Sequence, residues 1–178
     1  MQFTELYDFI TENTAQRSYS CLMLDIGFLS DEISKFQQDI DADHIYDEPG
    51  HGIETEYHIT VKYGLHCQKY SSLKNKVQLV PVKFKIKDLS LFENENYDVL
   101  RFGITSSDLQ KLNKEVCDNL DYTDSYPTYC PHSTVAYLKP GCGKKYINKK
   151  TELVGKTFES DKYVFSNKFG DKVFIKAF

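Results

Sequence analysis

A short string occurs twice in this chain, 74 residues apart. His58-Ile59-Thr60-Val61 and His132-Ser133-Thr134-Val135 both read histidine, any residue, threonine, aliphatic. With five histidines and eleven threonines in 178 residues, chance supplies about 0.3 His-x-Thr strings, so one copy carries little and two in matched surroundings carry more. The surroundings do match. Residues 18–27 (SYSCLMLDIG) read as a strand. Residues 30–40 (SDEISKFQQDI) read as a helix opened by a Ser30 cap with acids in its first turn, and an irregular stretch then leads into a strand over 57–64. The order repeats in 99–105 (VLRFGIT), in 106–120 with Leu109, Leu112, Val116 and Leu120 on one helical face, and in 132–139. Strand, helix, loop and motif therefore occur twice, which predicts a duplicated α+β unit.

Side chains two apart on a strand share a face, so His58, Thr60 and Lys62 are expected on one side of the first motif strand, opposite Ile59, Val61 and Tyr63. His132 and Thr134 likewise oppose Ser133, Val135 and Tyr137. Closing two such units about a pseudo-twofold axis brings two imidazoles and two hydroxyls into one groove. At neutral pH one imidazole can take a proton from a hydroxyl while its partner, protonated, gives one to a leaving oxygen. Threonine hydroxyls can donate to phosphate oxygens as negative charge grows on them. The set suits phosphodiester chemistry and needs no metal. The sequence has no Cys-x-x-Cys or His-Glu-x-x-His spacing, and His44, His51 and His66 are expected to face solvent rather than bind a metal.

The paired strings, their spacing and the repeated strand-helix-strand layout resemble the 2H phosphoesterase superfamily over roughly residues 18–178. The resemblance implies a LigT-like fold: two pseudosymmetric lobes of antiparallel sheet with flanking helices and a central cleft, in a single bilobal domain over 1–178. It implies catalytic roles for His58, Thr60, His132 and Thr134 with no metal and no cofactor. Within the superfamily, HITVKYGL and PHSTVAYLKPG are most similar to phage anti-CBASS nucleases, which degrade the cyclic oligonucleotide messengers of bacterial antiviral signalling. That similarity implies cleavage of 3′–5′ linkages in a cyclic di- or trinucleotide. A ribose 2′-hydroxyl would attack its neighbouring phosphate to give a 2′,3′-cyclic phosphate. An RNA-end processor acting on a 2′,3′-cyclic phosphate or a 2′–5′ linkage is a second reading, and a non-catalytic sponge for the same nucleotides a third. Which histidine is base and which is acid stays open.

Charge bounds the substrate. Residues 1–61 hold two basic and thirteen acidic side chains, residues 139–178 ten basic and four acidic, and the whole chain carries a net charge of −4. Affinity for a long polyanion grows with the number of phosphates neutralised, so long nucleic acid is not expected as a partner and a small nucleotide is. Lys62 is the candidate phosphate contact, and the Lys-rich run 143–150 (GKKYINKK) reads first as a solvated face and second as a phosphate contact. Tyr122, Tyr126 and Tyr129, in the loop before the second motif, are candidate stacking platforms for bases, and Glu159 a candidate for reading a base edge. No apolar run reaches membrane-span length and the first residues lack a signal-peptide pattern. The expectation is a cytoplasmic protein, in the host cytoplasm if phage-encoded, without membrane contact and monomeric. Five cysteines without framework spacing fit free thiols in a reducing compartment.

Overall fold

The computed structural model describes residues 18–124 and 128–177. Its strands form two four-stranded antiparallel sheets. The first holds β1 (Ser20–Asp25), β2 (His58–Leu65), β7 (Lys162–Ser166) and β8 (Lys172–Lys176) in the order β2-β1-β7-β8. The second holds β3 (Val82–Glu93), β4 (Asp98–Thr105), β5 (His132–Leu138) and β6 (Thr157–Ser160) in the order β5-β4-β3-β6. Helix α1 (Ser30–Gln37) follows β1, a short α2 (Tyr70–Lys74) follows β2, and α3 (Ser107–Asn119) follows β4. This is the two-lobed α+β arrangement that the repeated pattern predicts. Each motif strand is the outer strand of its sheet, beside the strand that opens its repeat. The C-terminal chain links the lobes, running from β6 in the second sheet through Asp161 into β7 in the first.

Helix α3 starts as its sequence predicts. The Ser106 hydroxyl accepts from the Leu109 N–H at 3.1 Å, and Leu109, Leu112 and Val116 are buried on one face. Helix α1 departs from expectation. Ser30 makes no side-chain cap, because a 3-10 turn over Gly27–Leu29 runs directly into the helix and supplies its first backbone acceptors. The Asp25 carboxylate instead receives the Gly27 N–H at 2.7 Å, while Asp31 and Glu32 remain in the first turn, where the helix dipole favours them.

The lobes interlock in a crossed manner. Helix α1 packs against β5, the motif strand of the other lobe, and α3 packs against β2 as well as β3. One continuous apolar core, including Leu24, Ile33 and Ile59 from the first repeat and Phe102, Leu112 and Val135 from the second, joins them. The loops cross too. Ile45 and Ile53, before the first motif, bridge to Leu138 and Ala136 on the free edge of β5, and Tyr122, before the second, bridges to Leu65 on β2. The free edges of the two motif strands, β5 and β2, are thus each met by the other repeat's loop. Gly64 permits the second crossing. It has φ +91°, and a Cβ there would lie 2.1 Å from the Thr123 carbonyl oxygen, whose residue donates its own N–H to the Gly64 oxygen at 2.9 Å.

The uneven charge of the sequence is matched internally. Lys145 pairs with Asp41 at 3.8 Å, Lys149 with Asp39 at 3.9 Å, and Lys144 with Glu93 at 3.1 Å. Three lysines of the run over 143–150 therefore face carboxylates, as a solvated surface run would. All five cysteines are free, and among the described residues no helix is long and apolar enough to cross a membrane.

Candidate active site

The two motif strands pack beside one another where the lobes meet. His58, Thr60, His132 and Thr134 are partly buried, whereas Ile59, Val61, Ser133 and Val135 are fully buried, as alternation predicts. Both histidines are anchored in the same way. His58 Nδ1 lies 2.7 Å from the Glu56 carbonyl oxygen, and His132 Nδ1 lies 2.9 Å from that of Cys130, in each case the residue two before. A carbonyl can only accept, so each Nδ1 carries the proton and each Nε2 is left to exchange one. Among the described residues neither Nε2 nor either threonine hydroxyl has a hydrogen-bond partner within the protein. Two proton-exchanging nitrogens and two hydroxyl donors therefore share this junction.

Alternation fails one residue beyond each threonine, and it fails identically. In the β1–β2 register Leu22 faces Lys62 and Met23 faces Thr60, which leaves Val61 as an extra residue; in β4–β5, Leu100 faces Ala136 and Arg101 faces Thr134, which leaves Val135 extra. These are β-bulges, and each inverts the pleat beyond it. Lys62 accordingly sits opposite Leu22, on the face away from Thr60. It is 9 % exposed, its Nζ is 2.5 Å from Asp124 Oδ1 and 3.8 Å from the centre of the Tyr122 ring, and it does not enter the groove. Tyr63 and Tyr137 take the groove face instead, in register with Cys21 and Val99.

Each bulge is held from the opposite repeat. The Asn113 side-chain amide on α3 donates to the Val61 carbonyl at 2.7 Å, and the Gln37 amide on α1 donates to the Val135 carbonyl at 2.9 Å. Gln37 also donates to the Glu54 carbonyl at 2.8 Å and accepts from the Tyr57 hydroxyl at 2.8 Å. These amides satisfy the carbonyls that the bulges displace from the ladder. They tie the position of each motif to the other lobe's helix.

Sequence reasoning missed Arg101. It lies on β4 directly across from Thr134, on the same face, and its Nε is buried without a hydrogen-bond partner. Next to it on that face, Gly103 faces His132, and the Asp88 carboxylate leans over Gly103, 2.3 Å from where a Cβ would be. Arg101 is one of two arginines in the chain, the other being Arg17, and it stands in a strand immediately before the second helix-and-motif unit; rarity and strand parity together were the available signal. Burial in the groove wall pulls the His132 imidazole down from 6.5 to about 4, with the charges of Arg101 and protonated His58 pushing the same way and the Cys130 hydrogen bond opposing. His132 is therefore neutral at pH 7, the form able to accept a proton.

The other sequence candidates divide. Tyr129 is not an open stacking platform: its ring packs on the core and its hydroxyl donates to the Thr60 carbonyl at 2.9 Å, which holds the first motif strand. Tyr122 lies under Lys62 beside Leu65, at the end of β2 away from His58. Tyr126 lies outside the described residues. Glu159 is exposed on β6 and pairs with Lys83 at 3.7 Å. By sheet register it is three strands across and about four residues along from His132, roughly 20 Å away. The structure does not bring it to the histidines. His66 is exposed just past β2, as expected, whereas His44 and His51 are partly buried. His44 Nδ1 lies 3.1 Å from the Tyr146 hydroxyl, His51 packs 4.8 Å from the Tyr97 ring, and His66 Nε2 lies 2.9 Å from the Thr123 hydroxyl. Among the described residues no group of three or more His, Cys, Asp or Glu side chains is placed to hold a metal ion.

Beside His58, on the first-lobe side, lies a cavity of about 370 Å³ lined by Met23, Asp25, Tyr57, Val164 and the exposed ring of Phe174. Its size falls within the range of small-molecule sites.

No protein-family model matches the chain, and no curated protein matches its sequence. Solved structures do match its fold. The crystal structure of TT0787 of Thermus thermophilus superposes with a TM-score of 0.54 at 11% identity, over 89% of this chain and 94% of that one. The crystal structure of E. coli LigT complexed with phosphate does so with a TM-score of 0.52 at 8% identity, over 90% and 94%. The fold is of the LigT-like α+β class, with two antiparallel four-stranded sheets.

Proposed function

We propose that this chain is a 2H-type phosphodiesterase that uses His58 and His132 as its proton-transfer pair and Thr60 and Thr134 as donors to the phosphate. The observation that carries this reading is the matched anchoring of the two histidines, each with Nδ1 on the carbonyl two residues back and Nε2 left open at the lobe junction. The LigT structure of like fold is a phosphate complex, and a phosphate between the two motifs is what four such groups would hold. In the reaction a ribose 2′-oxygen attacks phosphorus as its proton passes to one imidazole. The P–O5′ bond breaks as the other imidazole protonates O5′. The products are a 2′,3′-cyclic phosphate and a 5′-hydroxyl, and water can then open the ring by the reverse proton transfers.

For the substrate we propose a small cyclic oligonucleotide, in line with the resemblance of both motif strings to anti-CBASS nucleases and with action in a phage-infected host cytoplasm. The cavity of about 370 Å³ beside His58 and the net charge of −4 favour a compact ligand over a long polyanion. The test is incubation with 3′,3′-cyclic GMP–AMP, cyclic trinucleotides and an RNA ending in a 2′,3′-cyclic phosphate, each in excess EDTA, with products read by mass spectrometry. Linear products from the cyclic nucleotides support the reading. Turnover of the RNA end alone replaces the substrate with the RNA-end alternative, and binding without turnover replaces the enzyme with a sponge.

A further inference from the structure

The pseudosymmetry that places the two motifs is broken at the residues beside them. Across from Thr60 stands Met23, and across from Thr134 stands Arg101; across from His58 stands Asp25, and across from His132 stands Gly103. The two lobes match in strand order, bulge and histidine anchoring, so these cross-strand neighbours are where one half of the groove differs chemically from the other.

Resting on the phosphodiesterase reading, we propose that Arg101 binds the phosphate on the second-lobe side of the groove and thereby gives the reaction its direction, with His132 as general base and His58 as general acid. The bulge turns Lys62 away, and Lys172, on the first-lobe side, is paired with Glu56. Arg101, by contrast, has no carboxylate within ion-pair distance among the described residues, and its Nε is buried without an acceptor. Leaving a buried guanidinium N–H unmade is costly, and a non-bridging phosphate oxygen is the acceptor that removes the cost. From the position next to Thr134, one guanidinium and one hydroxyl can hold the two non-bridging oxygens as their charge grows.

The direction follows from charge. The charged groups that bear on His132 are Arg101 on β4 and His58 on β2, while the Asp88 carboxylate on β3 leans over Gly103 and is paired with Lys87 at 3.4 Å. With the guanidinium adjacent, a second cation on His132 is disfavoured, so this imidazole enters the reaction neutral and takes the proton of the attacking 2′-hydroxyl. His58 then protonates O5′ as the P–O5′ bond breaks. In ring opening the roles exchange: His58, now neutral, takes a proton from water and His132 returns one to O2′. The two steps consume one water and restore both imidazoles.

The experiment has two arms. In the first, the full chain carrying Arg101→Met, which copies Met23 of the other lobe, and Arg101→Lys are titrated with inorganic phosphate while the histidine ring signals are followed by NMR. Wild type is expected to bind phosphate, and its His132 to titrate near 4 before phosphate is added. The Met variant should lose at least about tenfold in affinity and the His132 midpoint should rise, with the Lys variant in between. Unchanged affinity and an unchanged midpoint in both variants would overturn the role of Arg101, whether or not the protein is an enzyme. The second arm uses a 3′–5′ dinucleotide with sulfur in place of the 5′ bridging oxygen. A thiolate leaves without protonation, so His58→Ala should recover most of a loss of about 100-fold or more on this substrate, and His132→Ala should not. Recovery by His132→Ala instead reverses the assignment. Absence of wild-type turnover on any dinucleotide or cyclic phosphate sinks the phosphodiesterase reading and the direction with it, while the phosphate arm still decides Arg101.

Discussion

The two lobes were built to one plan and finished differently. Each sets a His-x-Thr strand at the edge of a four-stranded sheet, bulges it at the following valine, and holds the displaced carbonyl with an amide from the other lobe's helix. Yet the first lobe surrounds its motif with Met23, Asp25 and a cavity walled by Val164 and Phe174, and the second with Arg101, Gly103 and Asp88. In the proposed reaction the shared features fix where the reacting groups stand. The differing ones fix which charge each side of the groove tolerates. A duplicated scaffold can therefore run a reaction that is itself unsymmetrical, with one proton leaving and another arriving.

Substitutions on either side test how far the two lobes differ. Thr60→Val and Thr134→Val remove one hydroxyl from each side, and each is expected to lower kcat by about 100-fold, the scale for loss of one oxyanion donor. A larger loss at Thr134 would mark it and Arg101 as the main phosphate grip. Gln37→Leu strips three hydrogen bonds, two of them to backbone carbonyls, and should cost about 2–3 kcal/mol in denaturant unfolding; Asn113→Leu strips one and should cost about 1 kcal/mol. Equal costs would contradict the unequal clamps.

Acid should expose the second lobe's histidine. The folded-state value of His132, about 4, lies below its ordinary 6.5, so between these values the unfolded chain binds more protons and stability rises with pH. Stability is expected to fall as pH drops from 6.5 toward 4, and His132→Gln should flatten that fall in thermal melts taken across this range. The smallest effect is expected from Lys62→Met. Its ion pair reaches an Asp124 that is 57% exposed, so stability should change by no more than about 1 kcal/mol and turnover very little. A large loss of turnover would return Lys62 to the groove.

Much of this was legible in the chain, and the failures have one physical source. The periods of 2 and 3.6 located the motif strands and α3. A period-two argument holds only until a bulge, and nothing local in HITVKYG announces one at Val61; the prediction was therefore right for His58 and Thr60 and inverted for Lys62 and Tyr63. Arg101 was passed over because VLRFGIT reads as scaffold until β5 is known to pair with it, a contact across about thirty residues. Tyr129 and Tyr122 look like surface rings until their partners, Thr60 and Lys62, are brought to them by the crossed loops.

The most direct test of the central claim, that both motifs act on one phosphate, is kcat/KM for His58→Ala, His132→Ala and the double variant on a substrate the wild type turns over. Groups that act as a unit are non-additive. The prediction is that either single substitution removes most of the activity, by about 100-fold or more, and that the double variant is little worse than the weaker single one. A single variant with wild-type activity, or losses that multiply, would mean that the two histidines do not share a site.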